Sequence, residues 1–271
     1  MEGGEIKTDG CLAVIGVTMF FENPYLPDQK VRLCVVDRRM SRAKLSALKA
    51  KKIDYIFAWQ HNNVLHGIDT HPDMTLCPLG GKYLVAEPQS YAYYEKMLAP
   101  FGFCVIKGET VLRKEYPHDI AYNALVFNHT LFGNLNDTDP TILAFAKNAG
   151  YSLVNTAQGY TKCAVYPVAE NAVITQDKGL EKVFLARGID VLCLQESEVA
   201  LIGFPDGFIG GAGGKIDRFH AAFFGDINQQ KEFETIKMFL ERYAVTPQSL
   251  SREELQDHGS LLPLLGEEWH T

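Results

Sequence analysis

Five times along the chain an apolar run ends on a short polar side chain and gives way to a helical pattern. The runs are VRLCVVD (31–37), KYLVAE (82–87), NALVFN (123–128), NAVITQD (171–177) and HAAFFGD (220–226). Their ends fall at positions 37, 87, 128, 177 and 226, spaced 50, 41, 49 and 49 residues apart. Apolar residues at helical spacing follow over 41–51, 89–99, 140–150, 179–187 and 228–243. Asp139 with Pro140 reads as a cap and first helical residue, and Gly188 as a helix stop. A short return strand comes next, at 53–58, 104–106, 152–154 and 190–194, and in the fifth unit somewhere beyond Tyr243. Each main strand is also preceded by an arm, at 12–20, 66–79, 116–122, 159–168 and 204–215. The unit is therefore ββαβ, and five copies use nearly the whole chain. An open, doubly wound parallel sheet would also alternate strands and helices, but it lacks the extra arm. The expectation is a closed ring of five units, with the chain start supplying the closing partner.

No stretch reads as a domain boundary, so residues 1–271 are expected to form a single α/β domain. An N-terminal arm and linker would cover 1–29, and the tail 251–271 would pack on the body. The formal net charge of −7 argues against nucleic-acid binding, which needs cations to displace counterions. No run approaches the roughly 20 apolar residues of a membrane span. Residues 11–21 are apolar, but the segment before them is acidic where a signal peptide is basic. The six cysteines form no CxxC pair, which points to reduced thiols, a cytoplasmic setting and no cysteine zinc site. Cys34, Cys104 and Cys193 fall inside expected strands as small buried hydrophobes.

The unit pattern, with the loops HPDM (71–74), GYTKC (159–163) and GGAGG (210–214), resembles the pentein superfamily. These are the α/β propellers of the guanidino-group-modifying enzymes and of a ribosome anti-association factor. The chain is also similar to an uncharacterised bacterial group within that superfamily. The resemblance runs from about residue 12 to 243. It implies a five-unit propeller with its ligand on the pseudo-fivefold axis, held by residues from the arms. It also implies a nucleophilic cysteine in the last unit, a histidine, and carboxylates that hold a guanidinium. Here the last unit reads GFIGGAGGKIDRFH, a glycine-rich turn with no cysteine after it. The usual thiol is thus missing from that place.

Cys163 follows Lys162, and a neighbouring cation lowers a thiol's pKa, so Cys163 is the candidate nucleophile. A buried structural thiol is the plainer alternative. His71 and Asp73 offer a base beside an orienting carboxylate, or a turn in which Asp73 caps its own backbone. His118 and Asp119 repeat that pairing one unit on. Glu170 and Asn171 precede the most regular strand, where a carboxylate could clamp a guanidinium or ammonium. Gly211, Gly213 and Gly214 would let backbone approach a ligand, with Lys215 next to them. The His and Asp separations carry no metal signature, so neither metal nor cofactor is expected. The expected partner is a small guanidino or amino-acid-like molecule, met by a C–N hydrolase or amidinotransferase-like activity. A non-catalytic propeller that binds a protein or the ribosome is the alternative; catalysis and homo-oligomerisation stay open.

Overall fold

The computed structural model describes residues 19–196 and 198–267. The first blade contains β1 (Met19–Phe20), β2 (Val31–Val36), α1 (Arg42–Ala50) and β3 (Asp54–Phe57). The second contains α2 (Pro72–Thr75), β4 (Leu76–Gly80), β5 (Tyr83–Ala86), α3 (Tyr91–Leu98) and β6 (Cys104–Lys107). The third has β7 (Leu125–Phe127), β8 (Thr130–Gly133), α4 (Pro140–Asn148) and β9 (Ser152–Asn155). The fourth has β10 (Val165–Ala169), β11 (Ala172–Thr175), α5 (Lys178–Leu185) and β12 (Asp190–Cys193). The fifth has β13 (Gly213–Lys215), β14 (His220–Phe223), α6 (Phe233–Arg242) and β15 (Thr246–Ser249). A last strand, β16 (Leu262–Gly266), returns to the first sheet.

Every blade follows one rule. An inner strand pairs antiparallel with a middle strand, which pairs parallel with an outer strand after a helical crossover. Burial falls from inside to outside. β4, β7 and β16 are buried throughout, whereas β3, β6, β9, β12 and β15 are largely half-exposed or exposed. The inner strands lie side by side, β4 against β7 and β13 against both β10 and β16, so they line a common axis. β4, β7, β10 and β13 are edges of their own sheets, and β1 covers β16 only at Leu265–Gly266, which explains an otherwise odd composition. Pro78, Pro167 and Pro263 sit inside inner strands, and the ladder shifts register directly after each. Proline is tolerated in a sheet only at such an edge or bulge.

Helix ends follow the expected chemistry. Ser41, Asp139 and Asp177 accept backbone N–H bonds at the starts of α1, α4 and α5. Gly102, Gly150 and Gly188 turn left-handed after the second, third and fourth crossover helices. No helix among the described residues is long and apolar enough to cross a membrane.

Four expectations change. In the third blade the run 123–128 supplies the inner strand, not the middle one; Asn128 and His129, both left-handed, make the hairpin turn into β8. Ring closure comes from β16, which inserts between β1 and β2. The arm expected over 12–20 contributes only Met19–Phe20, paired to the outside of β16, and 12–18 lie outside the described residues. The fifth return strand does lie beyond Tyr243: it is β15, and it pairs with β14. The helix expected over 228–243 begins at Phe233, because Asp226 caps a separate 3-10 turn over Ile227–Gln229. Finally, Cys104 is exposed and Cys193 half-exposed, since both lie on outer strands; Cys34 and Cys77 are buried.

Candidate active site

The starts of the five inner strands meet at one end of the axis. Asp73 precedes β4, Asn123 precedes β7, Lys162 and Cys163 precede β10, Gly210 and Gly211 precede β13, and Ser260 precedes β16. Topology brings them together although they span most of the sequence. Asn123 joins three of the blades. Its Oδ1 accepts the backbone N–H of Lys162 (2.9 Å) and of Cys163 (3.1 Å). Its Nδ2 reaches the Asp73 carbonyl (3.3 Å) and Cys163 Sγ (3.4 Å).

Asp73 is the hub. Its Oδ2 accepts from Cys163 Sγ at 2.9 Å and lies 2.8 Å from Ser260 Oγ. Its Oδ1 is buried with no hydrogen-bond partner. Ser260 Oγ accepts from Lys162 Nζ at 2.7 Å and also stands 3.0 Å from the Gly210 carbonyl. Ser260 holds a left-handed φ of 73°, a conformation that costs a non-glycine residue about 1 kcal/mol or more. Lys162 runs into the axis, where Nζ meets the Gly210 carbonyl at 3.2 Å and stands 4.8 Å from the centre of the Tyr25 ring.

Behind Asp73 lies a second layer. Asp257 accepts backbone N–H bonds from Phe208 (2.8 Å) and Gly259 (2.9 Å). His71 stands between two carboxylates, Nδ1 at 3.7 Å from Asp257 and Nε2 at 3.8 Å from Asp37. Neither nitrogen has a hydrogen-bond partner. Asp37 is held by the Thr70 hydroxyl (2.6 Å) and the Arg39 backbone N–H (2.7 Å). Two glycines make this layer possible. A methyl on Gly211 would overlap the Asp257 carboxylate, and one on Gly259 would overlap His71.

Burial dominates the electrostatics. It raises the Asp73 carboxyl to about 6, against the pull of Lys162, and the Asp257 carboxyl to about 7. It lowers His71 to about 4, so the imidazole is neutral. The Cys163 thiol is pushed well up by burial, then by Asp73 and Asp257. The expected lowering by Lys162 is thus reversed, first because burial disfavours the thiolate and then because carboxylates from other blades stand near the sulfur, which sequence adjacency does not reveal.

His71, Asp73, Cys163, Lys162 and Gly211 therefore converge. Other expected residues lie elsewhere. Asp119 is buried and accepts from the Tyr160 hydroxyl at 2.6 Å, while His118 beside it is exposed on a separate cleft with Arg113 and Asp137. Glu170, Asn171 and Lys215 line a cleft of about 850 Å³ at the hairpin ends of β10 and β13. That is the far end of β10 from Cys163, about 16 Å of strand away. Gly213 and Gly214 lie within β13; a Cβ on Gly214 would come 2.8 Å from the Leu261 carbonyl, so this glycine admits the neighbouring inner strand.

Asn123, Asp257, Ser260 and Asp37 had drawn no site assignment. The tail did hold a signal: SLLPLLG (260–266) repeats the pattern of TLCPLG (75–80), marking it as one more inner strand with a polar loop before it.

A ring of five ββαβ blades with a polar cluster on its axis defines a pentein propeller, and solved structures bear this out. An inosamine-phosphate amidinotransferase, StrB1 from Streptomyces griseus, matches with a TM-score of 0.57 at 12% identity, over 92% of this chain and 98% of that one. SxtG, an amidinotransferase from Microseira wollei in the saxitoxin biosynthetic pathway, matches at 0.55 and 11%, over 92% and 98%. A cysteine-to-serine mutant of DDAH from Pseudomonas aeruginosa, complexed with citrulline, matches at 0.52 and 9%, over 82% and 93%. Within this fold the chain belongs to a family of unknown function, DUF6873, whose model matches residues 35–262. Comparison with curated proteins finds no match.

Proposed function

We propose that the axial cluster receives a small guanidino- or amidino-bearing molecule and that the protein acts on it as a C–N hydrolase or transferase. The observation that carries this reading is Asp73: a fully buried carboxylate with one unpartnered oxygen, 2.9 Å on its other side from a thiol. A planar cation offers paired N–H donors to such an oxygen. Its central carbon would then lie beside Cys163, and its charge would offset the two carboxylates that keep the thiol protonated. The sulfur would attack that carbon as Asp73 Oδ2, which already accepts the thiol's hydrogen bond, takes its proton, and an amine would leave with that proton. Water would cleave the resulting S-alkyl thiouronium, or an amine would take the amidino group. The folds similar to this one include two amidinotransferases and a DDAH variant that holds citrulline, which supports the ligand class.

One observation favours a non-catalytic propeller instead. Asp73, Asn123, Lys162, Cys163 and Ser260 are each no more than 3% exposed, so a ligand must open a way in.

Calorimetric titration of chelator-treated protein with arginine, agmatine, dimethylarginine and guanidinium discriminates the readings. Binding of at least one, lost in Asp73→Asn, with release of ammonia or amine lost in Cys163→Ala, is the expected result. Binding that Asp73→Asn leaves unchanged overturns the proposed site. Binding without turnover leaves a receptor, and no binding at all removes the guanidino reading.

A further inference from the structure

The second layer of the cluster has an arrangement that the ligand reading does not use. One nitrogen of His71, the sulfur of Cys163 and a carboxylate oxygen of Asp257 all lie within 4.8 Å of one another, and all three residues are buried. They come from three separate places: the loop before α2, the start of β10 and the loop before β16. We infer that His71, Cys163 and Asp257 form a binding site for a zinc-type divalent ion, with Asp37 as the carboxylate behind the histidine.

The donor set suits such an ion. Imidazole, thiolate and carboxylate are its usual ligands, and three protein ligands leave a fourth position open. Bond lengths of about 2.0–2.3 Å place neighbouring donors about 3.3–3.6 Å apart on a tetrahedron. His71 Nδ1 stands 3.7 Å from Asp257 Oδ1, close to that spacing. The thiol side, within 4.8 Å of both other donors, has to close by about 1 Å at most, within reach of a rotation about the Cys163 side chain.

Two independent features point to an occupant. The first is the unpartnered histidine. His71 is 1% exposed, yet neither ring nitrogen has a hydrogen-bond partner. Buried polar nitrogens are rarely left so. A metal on Nδ1 would satisfy one nitrogen. Asp37, 3.8 Å from Nε2, stands where metal-bound histidines usually have a carboxylate or carbonyl for their second nitrogen. Asp37 is itself fixed by Thr70 and by the Arg39 backbone.

The second feature is Asp73, which touches Cys163 and whose buried Oδ1 also lacks a hydrogen-bond partner; it borders the fourth position. Asp257 is prepared for the role, because its two oxygens accept from Phe208 and Gly259 and are held in place.

Cys163 would serve either the metal or a covalent step, so metal and guanidino ligand should exclude each other. The two readings are tested separately, because the metal is tested alone and the guanidines against chelator-treated protein.

The experiment uses the full chain with Cys11, Cys104 and Cys193 changed to Ser, to remove thiols that are exposed, half-exposed or outside the described residues. Cobalt(II) is added to the chelator-treated protein and the thiolate-to-cobalt absorption is read. Zinc affinity is measured against a chromophoric chelator. One ion per chain with a thiolate band is expected. Cys163→Ser should abolish the band. His71→Gln should lower affinity by at least about 100-fold, and Asp37→Asn by about 10–100-fold with the band retained. A band that survives Cys163→Ser, zinc binding indifferent to His71→Gln, or no band in the parent overturns the site. Should Cys163→Ser fail to fold, the parent band together with its response to Asp37→Asn still decides the matter.

Discussion

Asn123→Ala tests whether the axial cluster is a structural junction as well as a site. The side chain is 1% exposed and touches neighbours from two other blades. Removing it strips the buried Cys163 N–H of its acceptor, whereas the Lys162 N–H keeps the Asn123 backbone carbonyl at 3.2 Å. A buried group left unsatisfied costs about 1–3 kcal/mol. The loss is therefore about 2 kcal/mol, before any cavity effect. Domains are commonly stable by only about 5–15 kcal/mol, so the variant should keep its fold with a reduced margin. At about 2–4 °C per kcal/mol for a chain of this size, the melting temperature should fall by about 6 °C. Urea unfolding followed by circular dichroism gives the free-energy difference. Amide hydrogen exchange locates it, since the Cys163 amide should lose more protection than that of Lys162 while β5 and β8 keep theirs. A loss under about 1 kcal/mol, with the Cys163 amide still protected, would show that the blades are joined by packing rather than through this side chain.

Thiol labelling of native protein should modify Cys104 first, because it is exposed, and should reach Cys34, Cys77 and Cys163 only on unfolding; early labelling of Cys163 would contradict its burial. Gly214→Val should destabilise by about 1–3 kcal/mol through overpacking, since its Cβ would come 2.8 Å from the Leu261 carbonyl; unfolding in urea checks this. Burial lowers Lys215 to about 8, so between that pH and its ordinary 10.5 the folded chain binds fewer protons than the unfolded one. Stability from this group therefore rises with pH across that window, by about 3 kcal/mol. Lys215→Met should lack the rise, and equal pH slopes for the two proteins would refute the assignment.

The ring was legible because its signals are local. An apolar run, a capping Asp and a glycine stop each depend on neighbours a few residues away. What misled were features whose meaning comes from a distance. The run 123–128 looks like any other middle strand until Asn128 and His129 are seen to turn left-handed into β8. The tail looks like packing until β16 is seen paired with β2, some 230 residues earlier. Cys163 was read through Lys162, its sequence neighbour, whereas Asp73, 90 residues away, accepts its proton at 2.9 Å. His71, Asp73 and Cys163 stood out because polar residues crowd their loops. Ser260 and Asn123 did not, because only the geometry of the ring gives a single serine or asparagine a partner. The prolines of the inner strands were the overlooked guide, since each marks a stretch of strand with one side unpaired.

The route of β16 bears on how the chain is made. The first blade begins with β2 and β3, yet the strand that covers their axial edge is the last of the described strands to leave the ribosome. Until then the apolar edge of β2 has no partner from its own sheet, and the loop bearing Asp257 and Ser260 has not emerged. A nascent chain halted before residue 257 would hold four potentially complete blades and one open flank, a surface suited to capture by a chaperone. Maturation of the cluster in this way waits for residues 257–266: no translation product that stops before them can display it.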